Sequence, residues 1–291
     1  MKSFTRKTFI KQSSMGLGSV FVLSEVASSI LSDDRFFAAN PPIGFQVYPI
    51  REMLVKDFTG TLKTMAGMGY QTVEMCSPSG YISSGFEPLV KMKPAEMKKI
   101  FSDLNLSCQS CHFTMGEFRT NLDERIAFAK ELGLSYMIMS SFWLKETATL
   151  DDYLKSCDEL NKMAEKTAAA GIQMGFHNHD MEFHKLDGQL IYEALMNRLD
   201  PKLVKMQFQT EVINLGYKAA DYFKKYPGRF ISSHLSDWTA DKKQAPIGKG
   251  VIDWKEYFEA AKIGGVKNFY VEMDFDTYKD SSAFLGQLLK S

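Results

Sequence analysis

The chain has 291 residues, of which 45% are hydrophobic and 24% are charged, and its formal net charge is zero. This composition is that of a globular protein with enough apolar material for one large core, and the balanced charge gives no sign of a nucleic acid partner. No stretch has the uninterrupted apolar length of a membrane-spanning helix, so we expect no membrane insertion once the N-terminal segment is removed.

That N-terminal segment differs from the rest of the chain. Arg6 and Lys7 precede a mild apolar run over residues 13–23, and a basic start before a short apolar segment is typical of an export signal. The basic pair resembles the twin-arginine export motif, with lysine in place of the second arginine. We predict that residues 1–40 are an export signal and spacer, that residues 41–291 form the catalytic domain, and that the protein is exported to the periplasm. The alternative is a disordered or helical N-terminal arm.

From residue 41 onwards, strand and helix patterns alternate. Strands are predicted at residues 43–50, 71–76, 106–113, 135–142, 173–179, 204–210, 230–236 and 268–274. Helices are predicted at residues 57–68, 94–104, 121–132, 150–170, 189–198, 218–225, 254–262 and 283–289. Eight strand–helix units in roughly 250 residues are the count and size of a single (β/α)8 TIM barrel, an α/β fold.

Side chains alternate along these strands between an apolar face and a face that becomes polar towards the C-terminal end. In the sixth strand, Val204, Met206 and Phe208 alternate with Gln207 and Gln209. Barrel enzymes place their sites at the C-terminal ends of the strands, so this pattern predicts a polar site there. A doubly wound open sheet would instead gather its polar groups at one crevice.

The stretch over residues 173–184 holds three of the five histidines. Met174 and Phe176 point to one side of the predicted strand, and His177 and His179 point to the other. The plain alternative is a surface strand with solvated histidines. Against it, all five histidines and several carboxylate and amide groups fall at or just after predicted strand ends. These residues are His112, His177, His179, His184, His234, Glu74, Gln209, Asp237, Glu272 and Asp274. We therefore predict one shared site.

Histidine and carboxylate groups in one site suit two kinds of chemistry. They can hold a divalent metal that polarises a substrate oxygen, and they can move protons to and from a substrate carbon. Both fit a sugar with adjacent carbonyl and hydroxyl groups. The sequence contains no phosphate-binding P-loop, no nucleophile elbow and no dinucleotide fingerprint after the first strand.

The cysteines are predicted to be packed thiols. Cys108 and Cys111 have C-x-x-C spacing, but three residues apart on a strand they point to opposite faces. No second pair has the spacing of a zinc ribbon.

Six segments together resemble the sugar phosphate isomerase/epimerase family, the xylose-isomerase-like barrels. They are GFQVYPIR (44–51), GYQTVE (69–74), FHNHDMEF (176–183), YPGR (226–229), HLSD (234–237) and VEMD (271–274). They occur in the family's order, and the resemblance covers about residues 43–290. It implies an exported member of this family, with a xylose-isomerase-like (β/α)8 fold, that acts on a small-molecule sugar.

The resemblance also implies a divalent metal held by glutamate, aspartate, histidine and glutamate at the ends of strands five to eight. Matched by position, these ligands fall on His177, Gln209, His234 and Glu272. This chain therefore departs from the family at two ligands, and both departures remove a carboxylate. Such a site should favour Zn²⁺ or Mn²⁺ over Mg²⁺. Glu74 or His179 could compensate, or the metal could be lost.

On the same resemblance, His177 and Glu272 are the predicted catalytic residues, which exchange protons in an isomerisation or epimerisation beside a carbonyl. The predicted substrate-binding residues are Gln46, Tyr48, Glu74, His112, His179, Asp237, Lys249 and Asp274. Trp143 and Trp238 are further candidates for stacking on a sugar, and the loop over residues 77–93 is a candidate lid.

Two other functions stay open. One is a 3-keto-glycoside lyase or hydrolase on the same barrel, which export favours because sugar phosphates are scarce outside the cytoplasm. The other is a non-catalytic periplasmic sugar-binding protein with a degenerate metal site. Related barrels often pair, so a homodimer is an expectation from the resemblance.

Overall fold

Eight parallel strands close into a barrel in the computed structural model, which describes residues 41–290. The strands are β1 (Ile43–Gln46), β2 (Thr72–Cys76), β3 (Ser107–Phe113), β4 (Tyr136–Met139), β5 (Gln173–His177), β6 (Val204–Gln209), β7 (Phe230–Leu235) and β8 (Asn268–Val271). Each strand pairs with its neighbours in the chain, and β1 pairs with both β2 and β8. The predicted (β/α)8 barrel is confirmed. The predicted export signal lies outside the described residues.

The helices lie outside the barrel. Within residues 41–290 they are α1 (Arg51–Lys56), α2 (Phe58–Gly67), α3 (Pro94–Asp103), α4 (Met115–Leu132), α5 (Leu150–Ala169), α6 (Ile191–Arg198), α7 (Ala219–Lys225), α8 (Trp254–Gly264) and α9 (Tyr278–Leu288). Two small hairpins follow β5 and β7; they pair Lys185–Leu186 with Gln189–Leu190 and Asp237–Trp238 with Gln244–Ala245. Over the part of the chain that the structure describes, no helix has the length and apolar character to cross a membrane.

Local sequence signals explain where several helices begin and end. Asp57 and Asp253 accept a hydrogen bond from the third backbone amide of α2 and α8, and Thr149 does the same for α5. Gly133 and Gly265 end α4 and α8 in the left-handed conformation, at φ 89° and 84°. These caps define the points at which the chain leaves and enters the helices.

The largest boundary difference is at α4. The sequence predicts this helix from residue 121, whereas it begins at Met115, directly after the N-cap Thr114. Asn121 has φ −140° and interrupts the helix at the residue where the sequence pattern placed its start. The early start matters because it brings the first turn of α4 to the C-terminal end of the barrel.

Several strands are also shorter than predicted. β1 ends at Gln46 rather than residue 50, and β8 ends at Val271 rather than residue 274. The residues beyond these ends leave the ladder and form the loops above the barrel. Glu272 is thereby placed in a loop that follows β8 and not within a strand.

The alternation predicted from the sequence sets the two faces of the barrel wall. Outward side chains such as Phe208 and Phe230 pack against each other and against Phe223 of α7. Below the polar layer, Gly175 leaves room for two isoleucines: a Cβ at this position would lie 2.4 Å from Ile138 Cδ1 and 3.3 Å from Ile231 Cδ1. The histidines above therefore rest on an apolar layer.

The four cysteines are free and buried, as predicted for packed thiols.

Candidate functional site

A cavity of about 440 Å³ opens at the C-terminal ends of the strands. Its wall combines histidines, aromatic rings and small polar side chains. They are Tyr48, Cys76, Gly80, Tyr81, Ser83, Ser84, His112, Thr114, Ser140, Trp143, His177, His179 and Glu272. The sequence-predicted residues Tyr48, His112, His177, His179 and Glu272 therefore share one space.

A buried carboxylate, Glu74 on β2, forms the floor beneath this cavity. Its Oε1 accepts hydrogen bonds from Ser110 Oγ at 2.5 Å and from Gln207 Nε2 at 2.8 Å. Its Oε2 lies 2.5 Å from His234 Nε2 and 3.2 Å from His112 Nε2. The side chain of Glu74 is fully buried, so these four contacts replace its hydration. Burial alone raises the pKa of Glu74, but the charges of His112 and His234 outweigh it and hold this pKa well below its usual range.

His234 on β7 is held between two carboxylates. Its Nε2 faces Glu74, and its Nδ1 lies 2.8 Å from Glu272 Oε2. Burial lowers the pKa of His234, but the two carboxylates raise it to about 10, so the ring is an imidazolium at neutral pH. The same contact lowers the pKa of Glu272 against the opposing effect of burial.

His177 and His179 have the opposite electrostatics. Burial, followed by the neighbouring histidine charges, holds the pKa of His177 well below its usual value. Burial likewise lowers the pKa of His179 to about 4. Both rings are therefore neutral at neutral pH, and the buried Nδ1 atoms of both have no hydrogen-bond partner. A neutral imidazole with a free lone pair can accept a proton or bind a metal.

Three of the histidines meet at the base of the cavity. Ring nitrogens of His112, His177 and His234 lie within 4.8 Å of one another, and all three residues are buried. The centroids of the His177 and His234 rings are 4.4 Å apart, and the His112 and His234 rings stack at 5.1 Å. This triad could hold a metal ion.

The two remaining residues of the predicted metal site lie beside this triad. Gln209 ends β6, and its Nε2 donates to Glu272 Oε2 at 2.6 Å. His112, which the sequence predicts only as a substrate contact, joins the cluster through Gln207, whose Oε1 lies 2.6 Å from His112 Nε2. The predicted set His177, Gln209, His234 and Glu272 is therefore contiguous, with His112 as an additional nitrogen donor.

The other predicted substrate-binding residues lie away from the cavity wall. Gln46 braces the turn after β1, because its Oε1 accepts a hydrogen bond from the Tyr48 amide at 2.5 Å. Asp237 is fully buried and accepts hydrogen bonds from the amides of Gly248 and Gly250 at 2.9 and 3.0 Å. Lys249 and Asp274 are also absent from the cavity wall. A substrate-binding role for these residues stays a prediction.

Some residues of the site were not assigned a role from the sequence. Gln207 and Ser110 complete the shell of Glu74, and the inward position of Gln207 in the alternation was the available signal. Tyr81, Ser83 and Ser84 reach the cavity from the loop after β2, where no periodicity marks them. The predicted lid loop therefore contributes to the wall.

Glu182 connects two loops at the rim of the site. This fully buried carboxylate accepts hydrogen bonds from the His179 amide and from Ser141 Oγ, both at 2.8 Å. Burial raises the pKa of Glu182 to about 7, although both hydrogen bonds oppose the shift. Glu182 thus ties the loop that carries Trp143 to the loop that carries His179.

The shell around Glu74 makes a stability prediction. Replacing Glu74 by alanine removes the acceptor for Ser110, Gln207 and His234 and leaves the imidazolium with one carboxylate. We expect the free energy of unfolding to fall by roughly 3–5 kcal/mol, because one partner of a buried charged pair is lost. Urea denaturation measures this loss of unfolding free energy. The control is Glu146→Ala, a substitution at an exposed loop glutamate. Equal losses in the two variants would contradict this account.

The raised pKa of Glu182 predicts a pH dependence of stability. The folded protein holds a proton on Glu182 up to about pH 7, whereas the unfolded chain releases it near the ordinary glutamate pKa of 4.5. The unfolding free energy should therefore fall as pH rises between these values, by up to roughly 3 kcal/mol from this residue.

The measurement is urea denaturation at pH 5 and pH 7.5. Glu182→Gln keeps an acceptor for the His179 amide and should show a smaller fall than the unchanged protein. Glu146→Gln, at an exposed glutamate in another loop, serves as the control. An identical pH dependence in Glu182→Gln and the unchanged protein would refute the assignment.

Comparisons with known proteins agree with this architecture. Residues 62–287 match the family described as "Xylose isomerase-like TIM barrel". No curated protein matches the chain. A sugar phosphate isomerase/epimerase from Parabacteroides distasonis has a similar structure, with 24% identity, a TM-score of 0.70, and coverage of 84% of this chain and 93% of that one.

Two further solved structures share the fold at lower identity. A probable 3-DHS dehydratase from Bacillus anthracis has 10% identity and a TM-score of 0.65, over 84% of this chain and 98% of its own. A D-psicose 3-epimerase, solved in the presence of D-fructose, has 13% identity and a TM-score of 0.63, over 86% of this chain and 100% of its own. With the family match extending over most of the chain, this protein belongs to the xylose isomerase-like TIM barrel family.

Proposed function

We propose that this barrel is a sugar isomerase or epimerase that moves a proton on the carbon next to a sugar carbonyl. The observation that carries the proposal is that His177 and Glu272 line one cavity and both lie against His234. Removal and return of a proton on a substrate carbon need two such groups within reach of it. Family membership and the shared fold with a D-psicose 3-epimerase support it.

The contacts of the two residues indicate their roles. His177 keeps an unpartnered ring nitrogen, so it can take a proton from the substrate. Glu272 is oriented through Oε2 by His234 and Gln209, which leaves Oε1 for the substrate. His234 holds Glu272 in place and supplies a positive charge at the base of the cavity, where a developing enediolate oxygen would be stabilised.

A divalent metal fits the donors of this site. In this proposal His177, Gln209, His234 and Glu272 would hold it in place of the proton on His234, and Zn²⁺ or Mn²⁺ suits two neutral imidazoles better than Mg²⁺ does. Glu74 contacts Nε2 of His234. Carboxylate–histidine contacts of this kind orient metal-binding histidines, and Glu74 adds a second negative charge near the site. When bound, the ion would polarise the sugar carbonyl and acidify the neighbouring C–H bond.

The proposed chemistry predicts solvent isotope exchange. In deuterated buffer the protein should place deuterium on the carbon next to the carbonyl of an accepted sugar, detected by NMR. His177→Asn and Glu272→Gln should each slow the exchange by roughly 10²–10⁴-fold, since each removes one acid–base group. His184→Asn, an exposed histidine of the same loop, should leave the rate unchanged. Undiminished exchange in both site variants would rule out these roles.

Metal binding is tested separately by calorimetry with Zn²⁺ and with Mn²⁺. The unchanged protein should bind one of them stoichiometrically, and His234→Ala and His177→Ala should lose at least tenfold in affinity, because each removes a nitrogen donor. His184→Ala is the matched control. If the site variants bind as tightly as the control, the ion is held elsewhere.

A second candidate is a lyase or hydrolase that acts on a 3-keto-glycoside. The same proton abstraction would be followed by loss of the neighbouring group, and a dehydratase is among the structures that share the fold. Export through the predicted signal at residues 1–40 remains part of the proposal and favours this candidate. Release of the glycosidic substituent in the exchange experiment would identify it, and saccharide binding without exchange would point to a binding protein.

A further inference from the structure

We infer that the cavity takes an unphosphorylated glycoside whose sugar ring carries a keto group, with this reacting sugar against His177 and Glu272 and an uncharged substituent ring against Trp143. This inference names the substrate class of the proposed reaction and rests on that proposed function. Four features of the structure carry it: the absence of cations from the wall, the filling of two backbone anion sites, an acidic rim, and an exposed indole.

No lysine or arginine stands among the side chains of residues 41–290 that form the cavity wall. Arg51, three residues after the wall residue Tyr48, is engaged with that residue: its Nη1 donates to the Tyr48 carbonyl oxygen at 2.9 Å, and its guanidinium lies 4.5 Å from the Tyr48 ring centre. His234 is enclosed between Glu74 and Glu272. A phosphate group, with a charge of about −1.5 to −2, would find no free cation here.

The loop after β7 has used its backbone amides on an internal carboxylate. TIM barrels commonly bind phosphate with the loops that follow strands seven and eight. Here Asp237 accepts hydrogen bonds from the amides of Gly248 and Gly250 and from Trp254 Nε1, at 2.9 to 3.0 Å. A Cβ on Gly250 would lie 2.1 Å from Asp237 Oδ1, so the loop is closed tightly around this carboxylate. An external anion would have to displace it.

The helix terminus nearest the cavity is filled in the same way. Thr114, the N-cap of α4, belongs to the cavity wall, and helix N-termini attract anions. The carboxylate of Glu117 already occupies this terminus: its Oε2 accepts the Thr114 amide at 3.0 Å, and its Oε1 accepts Ser77 Oγ at 2.5 Å. The negative charge of Glu117 would repel a phosphate that approached the same helix terminus.

The rim on the β5–β6 side is acidic. Asp180 and Glu211 are exposed. Partial burial, followed by the charges of Glu272 and Asp180, raises the pKa of Glu211, so these three carboxylates lie close to one another. A sugar phosphate entering past these groups would approach three carboxylates. An uncharged saccharide meets no such barrier and can use the same oxygens as hydrogen-bond acceptors.

Trp143 offers an apolar platform at the cavity mouth. Its side chain is 57% exposed although it lines the cavity, and its backbone has φ 48°, which is unusual for a non-glycine residue. Its ring lies 4.7 Å from that of His179, which in turn lies 4.8 Å from that of His177. A row of rings therefore leads from the buried reacting end to solvent, and a substituent on the sugar would lie against the last of them.

The test measures binding by the unchanged protein of glucose, galactose and xylose, their phosphate esters and their phenyl glycosides, using tryptophan fluorescence and saturation-transfer NMR. At least one phenyl glycoside should bind roughly tenfold more tightly than its parent sugar, through contact with Trp143. The phosphate ester should bind at least tenfold more weakly than that sugar. Inorganic phosphate should not compete.

Variants locate the contact. Trp143→Ala should remove the preference for the phenyl glycoside and leave binding of the parent sugar within twofold. Trp238→Phe, at a tryptophan outside the cavity wall, should change neither. A preserved preference in Trp143→Ala, tighter binding of phosphate esters, competition by inorganic phosphate, or no binding of any saccharide would each overturn the inference.

The outcome also separates this inference from the proposed function. Deuterium exchange into phosphate esters but not into unphosphorylated sugars would sustain the isomerase proposal and overturn the substrate class. Glycoside binding through Trp143, without deuterium exchange into the free sugars or into a keto-glycoside, would sustain the substrate class and overturn the isomerase proposal.

Discussion

The site depends on one buried carboxylate, Glu74, and on the donors that surround it. Removing a carboxylate from water costs several kcal/mol unless hydrogen bonds and opposite charge replace its hydration. Ser110, Gln207 and His234 supply these from β3, β6 and β7, so three strands must present a polar side chain at the same height inside the barrel. This requirement explains why the barrel has a polar layer above its apolar one, and why the histidine ring above Glu74 has a single orientation.

The same carboxylate sets the charge of the cavity base. His234 carries a positive charge because Glu74 and Glu272 hold it from both sides, whereas His177 stays neutral a few ångströms away. A neutral imidazole and an ionised carboxylate thus both lie against an imidazolium. In the proposed metal site, His177 and Gln209 stand where the sequence resemblance implies two carboxylates, and Glu74 adds one negative charge from beneath.

Three other buried carboxylates shape the loops above the barrel. Asp237, Glu117 and Glu182 each accept hydrogen bonds from loop backbone amides, and each binds donors that would otherwise be open to a ligand. The loops after β5 and β7 and the start of α4 are therefore fixed by internal carboxyl groups. The result is a cavity whose wall offers rings, hydroxyl groups, imidazoles and the carboxylate of Glu272, while these three carboxyl groups are turned towards the loops.

The sequence by itself determined the eight-stranded barrel, the face of each strand that turns inward, and the end of the barrel where the polar groups gather. Period-two alternation, helix caps and glycine stops are local properties, so they can be read without knowing any contact. Which side chains contact one another in the site was decided only by the tertiary structure. Glu74 and His234 are 160 residues apart, and barrel closure alone brings their side chains together. For the same reason Asp237, predicted as a substrate contact from its place after β7, lies buried among loop amides that follow it in the chain. A residue's place at a strand end predicts that it can reach the site, but the direction of its side chain depends on which donors the folded loops present to it.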